Sequence, residues 1–429
     1  MIDKRTLEIV LSEQKEELVR KARTRRCARK EESLVNLDSN MAQVVIGMRR
    51  SGKSTLCFNV LHNAGVKYAY VNFDDERFLN LKTDDLDSVL ETLYKINDGS
   101  FTHLFLDEVQ NVDGWHLFVN RLLRQGLRVI VTGSNAKLLS SELATYLTGR
   151  HTAIELFPFS FEEYCRYKNV DTTILTTQAE AVRRAAFDDY LRQGGFPELL
   201  QGADKRQYVS QLIDGILARD IRQRHNVRYF AAFERLAYHL MNIAPTVPDS
   251  EDLTKIFGFK SLQTTHNYIK YLKQAYLFIG LNRYSPKSRQ RITGEKIYAV
   301  DVAIMDNRPD AFCGINLGWR LETIVYVELR RRAKATGCDV YYYKKNTRAK
   351  EVDFLLCKGN KVLQMYQVAY DISAEKTRKR EFDSLVQASK ATRCTELYLI
   401  TDYERGTVEY DGVAIRIIPA YEWLLGRVD

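Results

Sequence analysis

Residues 47–55 read GMRRSGKST and fit the pattern G-x-x-x-x-G-K-[ST] without a mismatch. No other stretch restricts the possible folds as tightly. The apolar run Gln43-Val44-Val45-Ile46 leads into it, and Leu56-Cys57-Phe58-Asn59-Val60-Leu61 continues helically out of it. That is the strand–loop–helix context a phosphate loop needs. Gly47 and Gly52 let the backbone curl through Met48, Arg49, Arg50 and Ser51, so that successive N–H groups face phosphate oxygens. Lys53 can reach β- and γ-phosphates, the Ser54 hydroxyl can ligate Mg²⁺, and Thr55 opens the helix behind them.

Three further short apolar runs follow, Tyr68–Phe73, His103–Asp107 and Leu127–Thr132, with helical stretches between them. Runs of this kind are expected of buried parallel strands. The second ends in LFLDEVQ, fifty-four residues after Lys53. Carboxylates at the C-terminal end of a parallel strand face the crevice where such sheets bind ligands. Asp107 is thereby expected to hold Mg²⁺ through water, and Glu108 to orient an attacking water. The third run ends in VTGSN, where Asn135 reads either as a polar sensor of the γ-phosphate or as the cap of a helix over 136–147. Arg150 follows that helix, ahead of a strand expected over 151–156. It reads as a charge donor to a transition state, in its own or a neighbouring subunit, or as a helix-terminal arginine favoured by the dipole.

GMRRSGKST, LFLDEVQ, VTGSN and LTGR together resemble the AAA+-like ATPases of bacteria and archaea, in the branch near the archaeal and STAND-type NTPases. The resemblance covers about the first 155 residues. It implies ATP as ligand with Mg²⁺, and a five-stranded sheet followed by a helical lid. LRQGGFPE (191–198) is similar to the lid motif of that branch, which by carry-over would set Pro197 against the adenine. The same GGFP also reads as a tight turn between helices.

Residues 158–232 read as helical. Three short helical stretches (233–243, 250–257, 261–275) and two strand candidates (276–281, 296–300) come next, with Lys287, Arg289 and Arg291 in the loop. Three helices and a basic hairpin predict a winged helix–turn–helix. Its third helix would offer Gln263, Thr264, His266, Asn267 and Lys270 to bases or phosphates. After a helix around Glu322, the runs VYYYKKN, EVDFLL and VLQMYQVAY predict a small sheet, completed by a helix over 375–391 and a strand over 396–401. This order resembles the PD-(D/E)XK nuclease fold. Glu322 and Asp353 match two of its metal-binding positions, whereas Gln367-Val368-Ala369 stands where an acidic-x-Lys is expected, which puts cleavage in doubt. The basic residues of Arg330–Lys334, with Lys344, Lys345, Arg348 and Lys350, favour a polyanion.

The expectation is an α/β protein: a P-loop NTPase parallel sheet with an N-terminal helix (1–157), a helical lid (158–232), a winged-helix region (233–312) and a degenerate nuclease-like domain (313–429). It would bind ATP and hydrolyse it with Mg²⁺, coupled to DNA, RNA or a partner protein, with an ATP-regulated nuclease or a STAND-like switch as alternatives. Self-association is open to it. Lys and Arg number 64 against 55 Asp and Glu, a net charge of +9 that is compatible with a polyanionic partner. The seven cysteines form no C-x-x-C pair, which suits a reducing cytoplasm. The N-terminus lacks the apolar core of a signal peptide, and no apolar run is long enough to span a bilayer.

Overall fold

A computed structural model describes residues 3–21, 27–134, 147, 149–285, 294–305, 316–345 and 351–427. The chain divides into two compact units, Met1–Phe157 with Gln274–Tyr276, and Pro158–Lys273 with Leu277–Asp429.

The first unit opens with α1 (Lys4–Lys21), then β1 (Ala42–Ile46), α2 (Lys53–Asn63), β2 (Tyr68–Asn72), α3 (Leu86–Ile96), β3 (His103–Asp107), α4 (Trp115–Arg124), β4 (Arg128–Gly133) and β5 (His151–Glu155). All five strands are parallel, in the order β2-β3-β4-β1-β5. Such a sheet is covered on both faces, and β1 and β3 are buried at every residue. The helices present apolar residues at helical spacing: Leu7, Val10 and Leu11 on α1, Leu86, Val89 and Leu93 on α3, and Trp115, Phe118, Val119 and Leu122 on α4. These side chains pack with the sheet in one core. Because the strands run the same way, the C-terminal ends of β1, β3 and β4 share one edge. The phosphate loop sits on that edge.

The second unit begins with α5 (Phe161–Lys168), α6 (Thr177–Gln193), α7 (Pro197–Leu200) and α8 (Lys205–Gly215), which runs on into a π-helical turn over Ile216–Arg222. Ser160 caps α5 through a reciprocal pair with Glu163. Helices α9 (Phe230–Ile243), α10 (Ser250–Phe257) and α11 (Leu262–Gln274) precede the antiparallel pair β6 (Phe278–Leu281) and β7 (Lys296–Ala299). Thr246, between α9 and α10, bridges to Ile297 of β7.

A long helix, α12 (Leu317–Thr336), then leads into β8 (Asp339–Lys344), β9 (Glu351–Lys358), β10 (Lys361–Val368), α13 (Glu375–Thr392), β11 (Leu397–Thr401), β12 (Gly406–Tyr410), β13 (Val413–Pro419) and α14 (Ala420–Leu424). Strands β8, β9 and β10 form an antiparallel meander. The crossover through α13 makes β11 parallel to β10, and the six-stranded order is β12-β13-β11-β10-β9-β8. Helix α12 is longer than the sequence suggests and takes in the whole Arg330–Lys334 run. Two of those arginines turn inward. Arg331 donates to the Pro158 carbonyl and pairs with Glu328, while Arg332 pairs with Glu328 and lies over the Trp423 ring. The expectation that these two side chains form a phosphate-binding surface is corrected accordingly.

Glycines fix the GGFP turn. A Cβ on Gly194 would lie 2.0 Å from Asp301 Oδ1, and one on Gly195 would lie 2.2 Å from the Phe159 carbonyl oxygen. Gly195 N donates to Asp301 Oδ2 at 3.0 Å. The buried Arg320 guanidinium donates to the carbonyls of Leu191, Val302 and Met305, tying the same turn to its surroundings. Among the described residues, no helix is long and apolar enough to cross a membrane.

Candidate active site

Strand β1 delivers the chain into the loop with no room for a side chain at its first position. A Cβ on Gly47 would lie 2.0 Å from the Leu156 carbonyl oxygen, just past β5. Arg50 and Gly52 take left-handed backbone angles, so the loop folds back before α2 starts at Lys53. Lys53 is buried, and its Nζ donates to the Met48 carbonyl at 3.1 Å. Its ammonium also lies 3.5 Å from Glu108 Oε1. Met48 is buried under the loop, whereas Arg50 and Thr55 face outward. Arg49 pairs with Asp74.

Asp107 ends β3 and is the hub. Its Oδ1 accepts from Ser54 Oγ at 2.9 Å and from the Thr132 hydroxyl, and its Oδ2 accepts from Tyr70 OH at 3.2 Å. Burial pushes its carboxyl above the usual range and the adjoining Glu108 charge adds to that. Hydrogen bonds from Thr132 and Ser54, and the Lys53 ammonium, act the other way. Glu108 sits in the left-handed region at φ 51°, which turns its side chain back over the loop. Its backbone N–H donates to Thr132 Oγ1 at 3.0 Å, and Oε2 accepts from Gln110 Nε2 at 2.5 Å and Ser134 N at 3.3 Å. Burial would raise the Glu108 carboxyl, but the Lys53 charge and these donors outweigh it and hold it low.

The residues suit a nucleotide and its cation. Ser51 and Ser134 keep buried hydroxyls that have no hydrogen-bond partner among the described residues. Ser54 and Asp107 bring two hard oxygens within 2.9 Å of each other. Among the described residues no three His, Cys, Asp or Glu side chains could hold a metal. A phosphate-loop Mg²⁺ needs no such cage, because it keeps waters and takes phosphate oxygens.

Of the residues singled out in the sequence, Gly47–Thr55, Asp107 and Glu108 come together here. Asn135 lies outside the described residues. Arg150 does not join them. Its carbonyl accepts from Ala42 N at the start of β1, so it stands at the opposite end of the sheet. A five-residue strand spans about 16 Å, which rules out action on its own phosphate loop. Pro197 belongs to the second unit, at the first position of α7.

Three participants carry no signal in the sequence that marks them as part of the site. Arg29 is buried, and its guanidinium donates to the Ser51 carbonyl at 3.0 Å and the Phe157 carbonyl at 2.6 Å, clamping the loop to the chain beyond β5. It lies in a charge-rich stretch that reads as solvated surface, so no local signal marks it. Tyr70 and Thr132 support Asp107 from the neighbouring strands. Each was visible only as a strand residue.

In the second unit, Glu322 on α12 and Asp353 on β9 also draw together, joined by Glu351 and by Lys296 of β7. Lys296 Nζ lies 2.8 Å from both Glu322 Oε1 and Glu351 Oε1. Burial alone would lower the ammonium's pKa, but Glu322, Asp353 and Glu351 hold it above the usual value. Burial, followed by the Glu322 charge, pushes the Asp353 carboxyl up.

A P-loop at the end of β1, backed by acidic residues at the end of the next strand but one, defines a P-loop ATPase. Comparison with known proteins agrees: residues 39–165 match an AAA domain, 184–308 a domain of unknown function (DUF8612) and 317–423 another (DUF4143). The chain belongs to one family with the uncharacterized protein MJ1544 of Methanocaldococcus jannaschii, to which it is 33% identical over 407 residues, 91% of this chain and 90% of that one. It is 30% identical over 403 residues to an uncharacterized protein of Haemophilus influenzae, covering 90% of this chain and 95% of the other. Among solved structures it is similar to the Walker-type ATPase paby2304 of Pyrococcus abyssi, at 15% identity and a TM-score of 0.38, over 71% of this chain and 95% of that one.

Proposed function

We propose that this protein is a Mg²⁺-dependent ATPase that couples ATP turnover in its first unit to nucleic-acid binding by its second. The observation that carries the reading is the network Lys53–Glu108–Asp107–Ser54, gathered on one sheet edge with Thr132 beneath it. In this reading the loop amides from Met48 to Thr55 and the Lys53 ammonium bind phosphate oxygens. Ser54 and Asp107 hold the cation, Ser54 directly and Asp107 through water. Bound Mg²⁺ would neutralise the phosphate charge that grows during transfer. Glu108, kept ionised by Lys53, orients the attacking water and takes up its proton. Asn135 is proposed as the γ-phosphate sensor, Pro197 as an adenine contact and Arg150 as a charge supplied to a neighbouring subunit.

For the second unit we propose a helical lid over 158–232, a winged helix over 233–312 and a nuclease-like domain over 313–429. Support for the winged helix comes from its element order: α9, a bridge at Thr246, α10, α11, then the β6–β7 hairpin. On α11, Thr265, Tyr268 and Leu272 are buried, while Gln263, His266 and Lys270 are exposed on another face. That face suits phosphates or base edges. Lys287, Arg289 and Arg291, the proposed basic wing, lie outside the described residues. For the nuclease-like domain, support comes from a helix, a three-strand meander, a second helix and a parallel fourth strand, in that order.

The test is ATP hydrolysis measured with and without duplex DNA, single-stranded DNA and RNA. Turnover that is Mg²⁺-dependent and stimulated by one of these polymers is expected. Turnover that none of them changes, together with no salt-sensitive binding to any, would turn the reading towards a protein partner.

A further inference from the structure

Three carboxylates converge in the second unit. Glu322 comes from α12, and Glu351 and Asp353 come from alternate positions of β9. In a nuclease-like fold such a group would serve a divalent cation, but here at least one oxygen of each carboxylate is already engaged. Lys296 Nζ donates to Glu322 Oε1 and Glu351 Oε1, both at 2.8 Å. Tyr298 OH donates to the same Glu322 oxygen at 2.8 Å. Val368 N donates to Asp353 Oδ2 at 2.8 Å. Lys344 Nζ stands 3.8 Å from the other Glu351 oxygen.

Gln367 supplies no substitute ligand. Its amide nitrogen donates to Glu381 at 2.9 Å, and its oxygen faces Asp353 N at 3.4 Å. A Mg²⁺ ion needs oxygen ligands at about 2.0–2.1 Å in near-octahedral array. To gather Glu322 and Glu351 it would have to compete with an ammonium, already bonded to both, whose side chain is 10% exposed. Expulsion would break two charge-assisted hydrogen bonds and leave the lysine to find other partners.

We propose that Lys296 is itself the cation of this centre: its ammonium, carried in on β7, stands in for the divalent ion, and the α12–β9 site is a metal-free lock holding the β6–β7 hairpin to the nuclease-like sheet. The arrangement lies wholly within the second unit and is independent of the ATPase reading. It also explains why a domain with Gln367 and Ala369 in place of an acidic-x-Lys keeps Glu322 and Asp353 at all. They balance Lys296.

The experiment is Mn²⁺ binding followed by electron paramagnetic resonance on the full chain without nucleotide, for wild type, Asp353→Asn, Lys296→Met and the double variant. Wild type and Asp353→Asn should bind Mn²⁺ alike. As they stand, Glu322, Glu351 and Asp353 are not arranged to hold a metal. With the ammonium gone from between them in Lys296→Met they can draw together, and that variant should gain one ion per chain, lost again in the double variant. Mn²⁺ binding by wild type that Asp353→Asn removes would overturn the proposal, as would a folded Lys296→Met that gains no ion. Should Lys296→Met fail to fold, the melting temperature of wild type still decides. It should be the same in EDTA as in Mn²⁺, apart from any shift that Glu351→Gln shares equally. A Mn²⁺-induced rise that Glu351→Gln abolishes would overturn the lock.

Discussion

Lys53 and Glu108 face each other across the phosphate loop, Nζ to Oε1, at 3.5 Å, with side-chain exposures of 4% and 16%. The cation expected to grip phosphate and the carboxylate expected to handle water therefore share one small, poorly hydrated space. Lys53 holds Glu108 ionised against burial, and Glu108 supplies the counter-charge that lets an ammonium stay buried.

The first prediction separates the two roles. Lys53→Ala removes the charge partner of the phosphates, so nucleotide affinity and turnover should both collapse. Glu108→Gln keeps shape and Lys53, so ATP should still bind while hydrolysis falls by about 10²–10⁴-fold, the span usual for a general base. Titration with a fluorescent ATP analogue and phosphate release measure the two quantities. Undiminished turnover in Glu108→Gln would remove that residue from the chemistry.

A second prediction concerns pH. The folded state holds Glu108 below its ordinary value, so its stabilising contribution is present above about pH 4.3 and fades as pH drops through the depressed value. In Lys53→Met the largest of the charges and donors opposing burial is gone, leaving Gln110, Ser134 and Arg49, so the carboxyl should move up. Its contribution at neutral pH should shrink with that rise. The melting temperature of the variant should consequently fall further below wild type at pH 7 than at pH 4. A deficit equal at the two values would show that the pair is not electrostatically coupled.

Arg29 gives the third. Arg29→Ala strips charged donors from the Ser51 and Phe157 carbonyls. Hydrogen bonds to charged groups contribute about 1.5–3 kcal/mol each, and Arg29→Ala should lower the melting temperature by several degrees. Loosening Ser51 should also weaken nucleotide binding. Arg29→Lys, with a single donor head, should fall between. Normal stability and normal affinity in Arg29→Ala would reduce the clamp to a packing detail.

How legible this was depended on sequence distance. The phosphate loop and LFLDEVQ were readable because strand, turn and helix signals lie within a few residues of the chemistry. Arg29 and Lys296 were not, since each is buried by partners far along the chain and each resembles ordinary surface charge locally. Arg331 and Arg332 misled for the converse reason: a basic run looks solvated until Glu328 and Trp423 are seen beneath it. The β12–β13 hairpin did leave a mark that the reading passed over. Asp411-Gly412 is a two-residue turn with φ of 51° and 75°, the backbone that tight hairpins prefer. The expected elements end with the strand over 396–401, and β12 and β13 lie beyond them.

The fourth prediction tests assembly. Arg150 is exposed at the end of the sheet away from its own loop. If it supplies charge to a neighbour's transition state, turnover per subunit should rise with protein concentration as subunits associate. Arg150→Ala should then lower turnover by up to about 10³-fold without loss of nucleotide affinity. Mixing Arg150→Ala with Lys53→Ala should restore partial activity, because each contributes the part the other lacks. A rate independent of concentration, over a range in which light scattering shows assembly, would leave Arg150 a structural residue.

The last prediction concerns nucleic acid. With Arg331 and Arg332 engaged internally, phosphate contacts fall to Lys270 and His266 on α11 and to Lys287, Arg289 and Arg291 in the segment between β6 and β7. Binding through these groups should depend little on sequence and should weaken steeply with salt. The log–log slope should be about −0.9 per phosphate neutralised on duplex DNA. Arg289→Ala with Arg291→Ala should lower both affinity and slope, by about two phosphates' worth. Arg332→Ala should leave the slope unchanged, its cost appearing in stability through the lost Glu328 and Trp423 contacts. Asn267→Ala should alter sequence preference only if α11 enters a groove. A slope reduced by Arg332→Ala but not by the loop arginines would move the interface from the hairpin to α12.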